Sequence, residues 1–127
     1  MCMVDDGDAP EASVTTTPKA AKPYVCGECR RTIEKGERYF KYKMLYEGTW
    51  IESKHCLHCH QLASWLVGEC GGFPCDQLIE DFEQHAIEAK RFDMMRQLWG
   101  AKHKWRRRGQ LMPVPKVLPT TEERAVP

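Results

Sequence analysis

Apolar and polar positions change period twice along the chain. Over residues 37–46 they alternate. Phe40, Tyr42, Met44 and Tyr46 fall on one face, and Tyr39, Lys41, Lys43 and Leu45 on the other, the period of a strand. Glu47-Gly48-Thr49 reads as a turn, and Trp50–Lys54 as the returning strand of a hairpin. The aromatic face is expected to pack on the next element rather than to offer a base-stacking platform. From Cys56 the period lengthens. Leu62, Trp65 and Leu66 predict a helix to about Val67, closed near Gly68. A loop rich in breakers follows. Asp76 is placed to cap a second helix. Its stripe of Leu78, Ile79, Phe82, Ala86, Ala89, Phe92, Met95, Leu98 and Trp99 predicts one long amphipathic helix stopping near Gly100.

Neither end shows such a pattern. Residues 1–22, with Asp5, Asp6, Asp8 and a Val14-Thr15-Thr16-Thr17 run, are expected to form a disordered tail carrying a free Cys2. Residues 110–127 are rich in proline and predict a second extended tail. The 127 residues then divide into that first tail, a 23–67 unit, a loop and long helix over 68–100, a basic extension at 101–109 and the last tail.

The chemistry of the 23–67 unit lies in its cysteines. Cys26-Gly27-Glu28-Cys29 is answered by Cys56-Leu57-His58-Cys59. Two such pairs are the pattern of a four-thiolate zinc site, and a tight turn brings sulfurs three residues apart onto one ion. The same spacing is poor for a disulfide, and the odd total of seven cysteines cannot all pair within one chain. Cys56 and Cys59 are expected in the first helical turn, where backbone N–H groups favour thiolates. His55 and His58 form an H-x2-H pair that could replace a cysteine, but the repeated C-x2-C spacing favours the sulfurs. One Zn2+ per chain follows. Four thiolates close its coordination shell, so its role is structural. Cys70 and Cys75, with His60 or His85, could make a second site; the preferred reading is that they pack in the loop.

Charge adds a partner. Residues 23–89 carry eleven acids and seven bases, whereas residues 90–108 carry eight bases and one acid. Lys102, Lys104, Arg106, Arg107 and Arg108, with Trp105 among them, suggest contact with nucleic acid or another polyanion, the tryptophan stacking on a base or a ribose. Favourable cations at a helix end are the plainer account of the same run. No stretch approaches the ~18 apolar residues of a membrane span, and no secretory leader is apparent. A cytoplasmic, reduced protein is expected, with no membrane or small-molecule partner.

Cys26-x2-Cys29, Ile33, Gly36-Glu37, the Tyr39 strand, Trp50 and Cys56-x2-Cys59 together resemble small, uncharacterised treble-clef zinc-finger proteins of bacteriophages and bacteria. The resemblance covers about a third of the chain. It implies an α+β fold of knuckle, β-hairpin and helix, here followed by the long helix, and a compact binding module. LIM domains and DksA/TraR regulators share the double C-x2-C logic, but this chain lacks a plain second finger and places its long helix after the first. The ββα-metal (HNH) nucleases share treble-clef geometry, yet the chain contains no Asn and no His-Asn-His pattern. The expected function is therefore a nucleic-acid-associated accessory or regulatory protein, not an enzyme. The alternative is a protein-interaction adaptor or inhibitor working through the hairpin or the long helix.

Overall fold

The computed structural model describes residues 10–70 and 76–116, with the backbone of 2–3 and 73–74. Its centre is an antiparallel hairpin of β5 (Tyr39–Tyr46) and β6 (Thr49–Cys56), in register from Tyr39 opposite Cys56 to Tyr46 opposite Thr49. Glu47 and Gly48 both have positive φ, the backbone of a two-residue turn whose twist matches the strands. Before the hairpin, short strands β3 (Tyr24–Val25) and β4 (Thr32–Ile33) pair around the turn at Cys26–Cys29. After it, α1 (Leu57–Cys70) leaves directly from β6. Phe40, Tyr42 and Met44 are buried as the alternation predicts, and the aromatic face is core. Ile33, Leu62, Trp65, Leu66, Leu78 and Phe82 close the same core.

The chain from 12 to 20 is ordered, contrary to the expected tail. β2 (Ala12–Thr16) joins the sheet as an antiparallel edge strand on β5, and Lys19 bridges to Arg38. Every side chain of β2 is exposed. It therefore has no apolar alternation to read, and its β-branched residues and backbone bonds alone hold it. Two further short strands, β1 (Cys2–Met3) and β7 (Phe73–Pro74), pair in parallel.

The expected long helix is two helices. α2 (Leu78–Glu88) ends at Ala89, a 3-10 turn spans Phe92–Met94, and α3 (Met95–Lys102) follows. Lys90 takes φ +57, its N–H donates to the Ile87 carbonyl, and that of Arg91 donates to Ala86. This pair of bonds is a Schellman stop with lysine where glycine is usual. Arg91 is then buried over the Trp65 ring and paired with Asp93. The turn throws Phe92 and Trp99, apolar members of the expected stripe, onto the surface.

Other boundaries shift for local reasons. α1 runs past Gly68 to Cys70. Asp76 is exposed with φ +68 and does not cap α2. α3 passes through Gly100, whose missing side chain leaves room for the Trp105 ring: a Cβ there would sit 2.6 Å from it. Past Lys102, which ends α3, the basic run turns into a hairpin instead of continuing the helix. β8 (Arg106–Arg107) pairs with β9 (Gln110–Leu111) around Arg108-Gly109, both of positive φ. Among the described residues no helix is long and apolar enough to cross a membrane.

Candidate metal centre

Local backbone geometry aims the first two sulfurs. The Cys26 N–H donates to the Arg31 carbonyl at 2.8 Å and the Arg30 N–H to the Cys26 carbonyl at 3.1 Å, folding the knuckle back on itself. Arg30 takes φ +65, a left-handed backbone that usually falls to glycine. The Gly27 N–H donates to the Lys54 carbonyl at 2.8 Å and lays the knuckle against β6. Cys56 ends that strand and Cys59 lies in the first turn of α1. Hairpin and helix thus bring the second pair onto the first.

The four sulfurs of Cys26, Cys29, Cys56 and Cys59 lie within 4.8 Å of one another, all in buried residues. The Cys29 and Cys56 sulfurs are 3.8 Å apart, the ~3.8 Å edge of a tetrahedron with zinc–sulfur bonds of ~2.3 Å. Backbone N–H groups of Cys56 and Cys59 point at the sulfurs of Cys26 and Cys56, each at 3.4 Å. Hydrogen bonding from the other thiols, led by Cys29 for Cys26 and by Cys26 for Cys56, holds those two below the ordinary thiol range. Cys29 and Cys59 are pushed above it, chiefly by Cys26. Four adjacent thiolates need a cation among them. Separation, burial and donor chemistry fit one metal ion, and are compatible with Zn2+.

Three charged or polar groups around the cluster were not legible as part of it. Arg31 is buried and paired with Glu37. Burial works against its charge, but Glu37 and the Cys56 sulfur outweigh that and hold the guanidinium protonated. It places a cation beside a centre that stays net negative with a dication bound. Glu28, inside the knuckle, is also buried. Its carboxylate accepts the backbone N–H groups of Asp76 at 3.0 Å and Leu78 at 3.1 Å, so the knuckle itself caps α2. Burial raises Glu28 to about 6, against the pull of those two bonds. The third is Trp105. Fully buried, it donates its indole N–H to the Cys59 sulfur at 3.3 Å. It is therefore not the base-stacking surface that the sequence suggests, because burial hides its ring; that ring fills the space above Gly100 and touches the cluster.

Among the described residues no histidine joins the sulfurs. His55 is buried, 2.9 Å from the Ser53 hydroxyl and 3.6 Å from Glu28, and burial lowers it to about 4. His58 donates from Nε2 to the Met112 carbonyl at 2.6 Å and packs beside Trp105. His60 stacks on Phe40, and His85 lies 3.8 Å from Glu69 and edge-on to Trp65. Of the suggested second site, Cys75 and the side chain of Cys70 lie outside the described residues.

The remaining basic residues are exposed. Lys102 pairs with Glu83 across α2 and α3. Lys104, Arg106, Arg107 and Arg108 have no carboxylate partner among the described residues. The hairpin that bears the arginines is tied to the centre twice, through Trp105 on Cys59 and through Met112 on His58. No protein-family model, curated protein or solved structure matches the chain.

Proposed function

We propose that this is a zinc-stabilised, treble-clef-like module that binds nucleic acid through its arginine hairpin. Knuckle, β-hairpin and helix follow in treble-clef order, and each half supplies two sulfurs. Four thiolates leave zinc no open position for water, so its role is to hold the fold and not to catalyse. The observation that carries the partner is the hairpin. Arg106, Arg107 and Arg108 are exposed and without carboxylate partners among the described residues, yet their backbone is fastened to the metal centre. Cations displayed on a rigid support match a phosphate backbone, and such binding weakens as salt rises.

The test is fluorescence anisotropy of labelled oligonucleotides with metal-loaded protein over a salt series. Replacing Arg106, Arg107 and Arg108 by serine should weaken binding and reduce the slope of log K against log salt by about 2–3. An absence of binding at low salt refutes the reading. A protein-interaction role rests on one other feature, the outer face of the sheet. There Val14, Lys43, Trp50, Ile51 and Glu52 line a depression of about 440 Å3, with Trp50 54% exposed.

A further inference from the structure

α3 and the arginine hairpin enclose a groove with an aromatic wall. Trp99 is 41% exposed although it belongs to the apolar stripe. The stop at Lys90 turns α3 so that this ring faces out. His103 stacks on it, centroids 4.1 Å apart and planes 17° from parallel, and is itself fixed by donating from Nδ1 to the Trp99 carbonyl at 2.7 Å. The indole is braced. Beside it Arg96, Arg107 and Met112 complete a depression of about 420 Å3, within the ~300–1,000 Å3 that holds a small organic ligand. A second depression of about 350 Å3 shares Arg96, Arg107 and Met112 and continues along Arg108 and Gln110. The two form one path, aromatic at one end and lined by guanidinium groups along its length.

An aromatic face beside a track of guanidinium groups, none with a carboxylate partner among the described residues, is the chemistry of a flexible polyanion that also carries flat rings. A base pair inside a duplex exposes no face to such a wall, whereas an unpaired base does. We infer that the groove takes a single-stranded nucleic acid, with one base against Trp99 and neighbouring phosphates on Arg96, Arg107 and Arg108. This rests on the nucleic-acid reading above and adds to it the strandedness of the ligand. The ring that meets the base is Trp99, not Trp105.

The probes are fluorescein-labelled oligothymidylate and oligouridylate of about twelve nucleotides, each alone and paired with its complement, titrated into metal-loaded full-length protein. Either single strand is expected to bind at least about tenfold more tightly than its duplex. Trp99→Leu should weaken the single strand about five- to a hundredfold and leave duplex binding and metal content unchanged. Arg96→Gln, at an exposed position, should reduce the single-strand salt slope by about one with the fold intact. Tighter binding of the T or the U strand identifies DNA or RNA as the source of the shared chemistry. If wild type binds duplex as well as single strand, or Trp99→Leu binds like wild type, the single-strand inference fails while the nucleic-acid reading stands. If wild type binds neither form, both fail.

Discussion

Trp105→Phe isolates the contact between the indole N–H and the Cys59 sulfur. The substitution keeps an aromatic ring over Gly100 and deletes the donor 3.3 Å from Sγ. A hydrogen bond to a charged group contributes about 1.5–3 kcal/mol. Outer groups that orient metal ligands typically shift affinity about 10–100-fold. Metal affinity should therefore fall by one to two orders of magnitude, read by competition with a chromophoric chelator. Some of that loss comes from the smaller ring, because metal binding and folding are coupled. Trp65→Phe supplies the control. Trp65 is also buried, packs on α2, and has an indole nitrogen without a hydrogen-bond partner among the described residues. It should lower stability by packing alone, with a smaller change in metal affinity. Equal affinities in the two variants would refute the claim that the indole stabilises the thiolate centre.

The remaining expectations concern the fold around that centre. Gly100→Ala, which in an open helix stabilises by about 1 kcal/mol, should here destabilise by about 1–3 kcal/mol, because the new Cβ meets the Trp105 ring at 2.6 Å; a melting temperature at or above wild type would show that the ring has room to move. Glu28→Ala strips two backbone N–H groups of their acceptor and should cost about 1–3 kcal/mol, with faster amide exchange at Asp76 and Leu78 and little change at β5; unchanged exchange at those two amides would remove Glu28 as the cap of α2. Chelation of the loaded protein should abolish cooperative unfolding of the hairpin and α1, since structural zinc supplies on the order of 10–16 kcal/mol in small fingers; near-ultraviolet circular dichroism that survives chelation would refute a structural role for the metal.

Sequence legibility follows how far each interaction reaches. The four clustered cysteines are readable because C-x2-C spacing is itself the local geometry that converges two sulfurs. β5 is readable because Phe40, Tyr42 and Met44 are buried while Lys41, Lys43 and Leu45 between them keep contact with solvent, so burial imposes a period of two, and β6 is readable as its return through the Glu47-Gly48 turn. β2 is not, because both its faces meet solvent and only its pairing with β5 defines it. The break at Lys90 is equally silent, since apolar spacing runs straight through it and no glycine or proline stands there. It is set by tertiary packing that buries Arg91 over Trp65 and accepts a strained lysine in exchange.

The charged run at 102–108 shows the division most clearly. Its cations are plain in the sequence, but the same letters suit a helix end, a hairpin or a loose tail. Read as letters, Trp105 looks available to a ligand and Trp99 belongs to an apolar stripe. Contacts across 46 residues draw Trp105 onto Cys59, and the turned α3 sends Trp99 outward. Ligand type and strand period are short-range properties, carried by neighbouring residues. Which of two tryptophans is buried depends on how distant segments share one small core, and only the folded chain brings those segments together.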